Sequence, residues 1–264
     1  MPFVIHRGQR IHYTVEGSGP LVILQHGAFL DGRSWAAAGF VDALGEGLQI
    51  ACIDSLGHGL SDKPTDPALY TQDQRAGDIV AVMDDLGADH AHLVGHSMGG
   101  WICVGMAKYH PDRLASLTVG SWDLVSGVAS ALPPGMSFVP FERMLAGARA
   151  TAPGILAWVT PDVEPSLRAC WNALADLDGA GAAVLALKAP VLLWNGRDDP
   201  YSAPMQAFAA EHGLAFLSTP GDHLGAVMTH GVESARGVRN FIDAASSGST
   251  LDVRRTTPSF LTWY

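Results

Sequence analysis

The sequence predicts an α/β fold with a mainly parallel sheet, and three observations support this prediction. Short continuous apolar runs, typical of strands buried on both faces of a parallel sheet, alternate with segments of helical composition. This alternation stops near residue 122 and resumes near residue 188, as expected for one sheet interrupted by an insertion. A Gly-His-Ser-Met-Gly pentapeptide at residues 95–99 lies where one apolar run passes into a helical segment.

The first 122 residues supply most of the predicted sheet. An opening hairpin is expected from two strand-like stretches joined by a turn, at residues 3–6 and 11–16. Further strands are expected at residues 21–25, 49–54, 91–94 and 114–119. Helices are expected between them at residues 35–44, with Ser34 as a candidate N-cap, and at 71–86 and 98–109. Strands and helices that alternate in this way form right-handed crossover units.

Residues 123–187 break the alternation. They contain several prolines and short helical pieces but no clear strand, and so predict an inserted helical cap over the site. Strands resume at 190–195 and 214–218, with helices at 203–211 and 231–245. The predicted division is a core of residues 1–122 and 188–245, a cap of residues 123–187, and a C-terminal tail of residues 246–264, either mobile or docked.

The composition restricts the kind of protein and of partner. The 264 residues suffice for one large domain, and 48% hydrophobic against 16% charged residues is typical of a globular chain. The formal net charge of −10 argues against nucleic acid and against an anionic membrane surface as partners. Residues 1–10 lack the apolar core of a signal peptide and no apolar run is long enough to span a bilayer, so we expect a cytoplasmic protein.

The three cysteines give no sign of a metal site. They are scattered, and Cys52 and Cys103 lie in apolar runs, where buried thiols are expected. No pair of cysteines has the spacing of a metal-binding motif, so no metal ligands are predicted.

Ser97, at the centre of the pentapeptide, is the candidate nucleophile. An apolar strand precedes it and a helical segment follows, which is the context of a nucleophile elbow. In such a turn the residues two before and two after the serine approach closely, and here both are glycine, Gly95 and Gly99. The geometry would expose the serine hydroxyl and aim the first N–H groups of the helix at a reacting oxyanion.

Five motifs, in this order along the chain, together resemble those of the α/β-hydrolase superfamily, and more narrowly its small capped esterase, lactonase and C–C hydrolase branch. They are His26-Gly27, Asp54 with Gly57-His58-Gly59-Leu60-Ser61-Asp62, the pentapeptide with Gly100, Gly196-Arg197-Asp198-Asp199-Pro200, and Gly221-Asp222-His223. The resemblance covers residues 3–245, with the cap weakly matched. It implies an eight-stranded, mainly parallel sheet with helices on both faces and an inserted helical cap.

The resemblance implies a triad of Ser97, Asp199 and His223 in the family's chain order. A serine hydroxyl needs a base, and an imidazole can accept its proton and return it to the leaving group. The family spacing favours Asp199 over the adjacent Asp198, and Asp123, after the strand that follows the elbow helix, is a further rival. Either rival could instead be a turn or capping aspartate.

The resemblance also implies an oxyanion hole and a pocket. The backbone N–H groups of Ala28 and Met98 would bind the oxyanion, with His26 and His58 bracing the neighbouring loops. The expected substrate pocket is mainly apolar, with Phe29, Trp101, Trp122, Phe138, Trp158 and Leu224 as its candidate lining.

A serine nucleophile with main-chain oxyanion donors suits acyl transfer to water, so we expect hydrolysis of an ester or lactone of a mainly apolar small molecule. No cofactor or metal is required, and a monomer or homodimer is expected. Related epoxide hydrolases and dehalogenases carry aspartate at the elbow, which disfavours their reactions here. The alternatives are a C–C hydrolase of a vinylogous diketone, for which Arg33, Arg143 or Arg168 could bind a carboxylate, hydroxynitrile lyase or perhydrolase chemistry, and a non-catalytic ligand receptor on the same fold.

Overall fold

The computed structural model describes residues 2–247 and, as backbone, residues 261–263. Nine strands of the described residues form one sheet. They are β1 (Phe3–His6), β2 (Gln9–Gly17), β3 (Leu21–Gln25), β4 (Gln49–Ile53), β5 (Ala91–His96), β6 (Leu114–Gly120), β7 (Val191–Gly196), β8 (Ala215–Thr219) and β9 (Leu261–Trp263). Their spatial order is β1-β2-β4-β3-β5-β6-β7-β8-β9.

The sheet is parallel from β4 to β8 and antiparallel at both edges. The predicted α/β fold with a mainly parallel sheet is therefore confirmed, and β1 to β8 are the eight expected strands. The ninth strand comes from the segment predicted as a tail, and it pairs antiparallel with β8. Residues 248–260 and 264 of that tail lie outside the described residues.

Ten α-helices occur in the described chain. They are α1 (Arg33–Ala37), α2 (Phe40–Leu44), α3 (Gln72–Asp85), α4 (Met98–Tyr109), α5 (Phe141–Thr151), α6 (Glu164–Ala173), α7 (Ala180–Leu185), α8 (Ser202–His212), α9 (Gly225–Met228) and α10 (Gly231–Ser246). Short 3-10 turns occupy Pro67–Tyr70, Pro111–Arg113 and Gly127–Ala131. No helix among the described residues is long and apolar enough to cross a bilayer.

The single helix expected at residues 35–44 is instead two short helices. Gly39 has a φ of 68°, a left-handed conformation that ends one helix and begins the next. Ser34 lies inside α1 and does not cap it, since the N-cap position is Gly32.

Apolar side chains form one core on each side of the sheet and a third cluster between α5 and α6. The first core includes α3 and α4, and the second includes α2 and α10. The third cluster consists mostly of residues from the segment between β6 and β7, but Phe29 from the loop after β3 belongs to it as well. The expected burial of the Cys52 and Cys103 thiols is confirmed, and Cys170 is also buried and free.

Candidate active site

Ser97 lies at the sharp turn between β5 and α4. Its φ of 56° and ψ of −119° are unusual for a residue with a side chain, and its N–H donates to the Gly120 carbonyl at 2.8 Å. A β-carbon at Gly95 would lie 2.2 Å from the Gly99 carbonyl oxygen, and one at Gly99 would lie 2.0 Å from the Gln25 carbonyl oxygen. The turn is therefore possible only with glycine at both positions.

The structure brings Ser97, His223 and Asp199 into one line of hydrogen bonds. The Ser97 hydroxyl lies 3.0 Å from His223 Nε2, and His223 Nδ1 lies 3.1 Å from an Asp199 carboxylate oxygen. All three follow the carboxyl ends of parallel strands β5, β7 and β8, which meet at the same edge of the sheet. The geometry allows His223 to accept the Ser97 proton while donating to Asp199.

Asp199 is positioned as a buried anion. Its side chain is 0% exposed, whereas that of His223 is 28% exposed. The second Asp199 oxygen accepts the Tyr201 N–H at 3.0 Å. Burial raises the pKa of the Asp199 carboxyl, but its hydrogen bonds and the charge of His223 together outweigh burial, and the net pKa lies below its ordinary value. Asp199 therefore stays ionised and favours the His223 tautomer that carries its proton on Nδ1.

The two rival acids have other surroundings. Asp198 is exposed at the surface, and its backbone N–H donates to the Gly221 carbonyl. Asp123 is buried, and its carboxylate accepts the Val125 N–H at 2.9 Å, which is the hydrogen bond of a turn-forming aspartate.

The expected oxyanion donors both belong to turns next to Ser97, since Met98 follows it and Ala28 follows Gly27, where a β-carbon would lie 3.3 Å from that of Ser97. Met98 begins α4, so its N–H has no partner among the carbonyls of that helix. Ala28 occupies the second position of a turn that is closed by the Leu30 N–H and the Gly27 carbonyl at 3.2 Å. Both residues lie beside small cavities next to the elbow.

Two buried histidines brace the loops around Ala28. His26 Nε2 accepts the Ser55 N–H at 3.0 Å, and His58 Nε2 accepts the Phe29 N–H at 3.3 Å. Burial lowers the pKa of both imidazoles, most strongly that of His58. They therefore remain neutral near pH 7 and can accept these backbone protons, which agrees with the bracing function expected from the sequence.

His96, immediately before Ser97, is also held neutral. Burial, together with the neighbouring His223, lowers the pKa of His96 to about 3. Its ring packs against the rings of His223 and Trp194, with centroids 5.0 and 5.7 Å away. His96 therefore adds no positive charge beside His223 at neutral pH.

A cavity of about 260 Å³ opens onto Ser97 and His223. Of the candidate pocket residues, Phe29, Trp122 and Leu224 line it. Most of the other lining side chains are also apolar and many come from the segment between β6 and β7: Val128, Met144, Ala148, Thr151, Ala152, Ile155, Leu156, Trp171, Leu174 and Tyr201.

The structure places the other three candidate pocket residues outside this lining. Trp101 is fully buried in α4 and donates its indole N–H to the Asp176 carbonyl. Phe138 packs on the ring of Trp171, and Trp158 donates its indole N–H to the Phe29 carbonyl. None of these three rings is among the residues that line the cavity.

Most of these lining residues are absent from the predicted pocket, and two groups of them occupy positions that the sequence could have indicated. One face of α5 contributes three lining residues, Met144, Ala148 and Thr151. Their spacing of four and three residues is the helical periodicity that is visible in the sequence. Tyr201 follows Asp199 by two residues beyond the end of β7, a position that also reaches the edge of the sheet.

Within the part of the chain that the structure describes, no three His, Cys, Asp or Glu side chains come together in a way that could hold a metal ion.

Comparison with known proteins agrees with this fold. Residues 20–138 match the family model described as the alpha/beta hydrolase fold. An epoxide hydrolase B of Mycobacterium tuberculosis is 37% identical over 116 residues, which are 42% of this chain and 32% of that protein. The alignment thus spans about a third of the length of this curated relative.

Two solved structures share the fold along nearly the whole chain. The enol-lactonase of Burkholderia xenovorans is 24% identical with a TM-score of 0.69, over 93% of this chain and 100% of that one. A thermophilic esterase of Thermogutta terrifontis is 21% identical with a TM-score of 0.72, over 92% of this chain and 98% of that one. The sheet topology and these matches lead to one conclusion: the chain has the α/β-hydrolase fold.

Proposed function

We propose that this protein is a serine hydrolase that cleaves an ester or lactone of a mainly apolar small molecule. The observation that carries the proposal is the line of hydrogen bonds from Ser97 through His223 to Asp199, at 3.0 and 3.1 Å, beside an apolar cavity. A nucleophile, a base and an orienting acid in this order are the requirement for acyl transfer.

In the first half of the proposed reaction, the Ser97 oxygen attacks the substrate carbonyl carbon while its proton passes to His223 Nε2. The carbonyl π electrons move to oxygen, and the N–H groups of Ala28 and Met98 donate to this oxyanion. The tetrahedral intermediate then collapses, the bond to the leaving oxygen breaks, and the leaving oxygen takes the proton from His223. The product is an alcohol and an acyl group bound to Ser97.

In the second half, His223 accepts a proton from a water molecule as the water oxygen attacks the acyl carbon. The same donors bind the second oxyanion, and its collapse returns the proton to Ser97 and releases the carboxylic acid. Asp199 holds the imidazole in the productive tautomer and stabilises the imidazolium through both steps. The cycle needs no cofactor or metal.

The lining of the cavity supports an uncharged, apolar substrate. Its side chains are mainly aliphatic and aromatic, and no lysine or arginine is among the described residues that line it. Arg33 pairs with Asp31, and Arg168 pairs with Glu142. This favours an ester or lactone over a C–C hydrolase substrate that would carry a carboxylate into the cavity.

The likeness to epoxide hydrolases suggests a different reaction, which we set aside on chemical grounds. The related enzymes that open epoxides use a carboxylate at the elbow, and this chain has a serine there. The location in the cytoplasm and the monomeric or homodimeric state stay predictions.

A time course of p-nitrophenyl ester hydrolysis, from acetate to octanoate, tests the proposal on wild type and on Ser97→Ala. We expect turnover that depends on acyl chain length and is lost by a factor of roughly 10⁴ or more in the variant. Turnover that survives in Ser97→Ala contradicts the mechanism. If wild type hydrolyses no ester, a lactone panel and then a diketone panel separate a narrower lactonase from a C–C hydrolase, and inactivity with all of them favours a ligand receptor.

A further inference from the structure

The peptide groups of Phe29 are held from two directions. Its N–H donates to His58 Nε2 at 3.3 Å, from the loop after β4, and its carbonyl accepts the Trp158 indole N–H at 2.9 Å, from the segment between α5 and α6. Phe29 has a φ of 64°, which is uncommon for a residue with a bulky side chain. These two hydrogen bonds therefore hold a backbone conformation that the residue itself disfavours.

This conformation belongs to the turn that presents Ala28. In the Gly27–Leu30 turn, Ala28 is the second residue and Phe29 the third, and a positive φ at the third position is typical of type II turns. Glycine or asparagine usually occupies this position, because other residues are strained there. The Ala28 N–H, the proposed oxyanion donor, is one peptide group away from the strained residue.

The side chain of Phe29 packs against the cap, the segment between β6 and β7. It packs in a cluster whose other buried members all come from the segment between β6 and β7: Phe141, Leu145, Leu156, Val159 and Leu167. The ring centroids of Trp158 and His58, the two side chains that bond to the Phe29 backbone, lie 5.8 Å apart. The turn that presents Ala28 and the cap therefore pack as one unit.

We propose that Trp158 is a positioning residue for the oxyanion hole: its hydrogen bond to the Phe29 carbonyl makes the cap hold the Ala28 turn in the geometry that binds the oxyanion. The inference rests on the proposed function, since it assumes an oxyanion forms at this site. Trp158 does not line the cavity at Ser97, so its effect reaches the reaction only through the turn. Its loss should weaken binding of the transition state more than binding of the substrate.

Trp158→Phe is the test, because it removes the indole N–H and keeps an aromatic ring at a half-buried position. We expect kcat/KM for the best p-nitrophenyl ester to fall roughly five- to tenfold, as for the loss of one neutral hydrogen bond in the transition state. An alkyl trifluoromethyl ketone forms an oxyanion on the serine, and its inhibition constant should rise by the same factor. The inhibition constant of the n-alkanol of equal chain length, which forms no oxyanion, should change less than twofold.

Trp101→Phe is the matched control. It removes a similar bond, from the indole N–H to the Asp176 carbonyl at 2.7 Å, which also joins the core to the segment between β6 and β7 but does not involve Phe29. This variant should keep the wild-type ratio of the ketone and alkanol inhibition constants. Trp158→His, which retains a ring N–H, should recover part of the ketone affinity that Trp158→Phe loses.

Three results would overturn the inference. One is an unchanged ketone inhibition constant in Trp158→Phe; another is an equal rise for the ketone and the alkanol. The third is an equal loss in Trp158→His and Trp158→Phe, which would make ring volume the cause. Ser97→Ala keeps the two proposals apart, because turnover that survives there contradicts the serine mechanism itself. If Ser97→Ala inactivates the enzyme but Trp158→Phe leaves the ketone inhibition constant unchanged, only the proposed positioning function of Trp158 is contradicted.

Discussion

Replacing Asp199 with asparagine should inactivate the protein without unfolding it. The carboxylate is 0% exposed and accepts two hydrogen bonds, from His223 Nδ1 at 3.1 Å and from the Tyr201 N–H at 3.0 Å. An asparagine amide has the same shape but only one acceptor oxygen. If that oxygen stays with the Tyr201 N–H, the amide NH₂ faces His223 and favours the tautomer with its proton on Nε2. This tautomer cannot accept the proton of Ser97.

The magnitude follows from this change of tautomer. Loss of the productive tautomer and of the charge opposite the imidazolium lowers kcat by roughly 10⁴ in triads of this kind, which is about 5.4 kcal/mol of transition-state stabilisation. The adjacent Asp198 gives the matched control, since its side chain is exposed and only its backbone N–H is used, in a bond to the Gly221 carbonyl. Asp198→Asn should keep kcat within about twofold of wild type.

The assay is steady-state hydrolysis of the best p-nitrophenyl ester, with thermal unfolding measured on the same samples. Asp199→Asn within tenfold of wild type, or Asp198→Asn as damaged as Asp199→Asn, would refute the assignment of the acid. In the second case the acid would move by one residue, and the geometry of His223 would need another explanation.

Two further predictions concern folding and stability. Gly95→Ala should abolish the folded, soluble protein, because its β-carbon would lie 2.2 Å from the Gly99 carbonyl oxygen. Gly147→Ala, in the middle of α5 with open space around it, should instead raise the free energy of unfolding by about 0.5–1 kcal/mol. Burial lowers the pKa of His96 from its ordinary value of 6.5 to about 3, whereas in the unfolded chain this imidazole takes up a proton below pH 6.5. The free energy of unfolding therefore decreases as the pH falls from 6.5 to 3, by up to roughly 1.4 kcal/mol per pH unit. Between pH 7 and pH 5, the free energy of unfolding in urea should therefore decrease less for His96→Phe than for wild type, and as much as wild type for the exposed control His90→Gln. An equal decrease in all three proteins would contradict the burial argument.

The parts of the fold that could be predicted from the sequence are those set by local pattern. Continuous apolar runs such as residues 21–24 predict strands buried on both faces, and the glycines on either side of Ser97 predict a turn too tight for a β-carbon. The ends of the parallel strands then bring Ser97 near the residues after β7 and β8. The line of hydrogen bonds to His223 and Asp199 is the consequence.

The parts that could not be predicted depend on packing between distant segments. Nothing local distinguishes Trp158, which bonds to a loop 129 residues away, from Trp171, which lines the cavity. Both are aromatic residues among short helices, and only the tertiary arrangement decides which ring faces the cavity. The break at Gly39 is similar, since a glycine in a helical pattern is compatible with either one helix or two.

The most direct test of the central claim is to trap the covalent intermediate. Wild type is mixed with a p-nitrophenyl ester, quenched in acid within the first turnovers, and examined by intact mass and by peptide mapping. We predict an adduct of the mass of the acyl group on the peptide that contains Ser97, and its absence in Ser97→Ala. Turnover with the adduct on another residue would contradict the assignment of Ser97 as the nucleophile. So would hydrolysis that persists in Ser97→Ala.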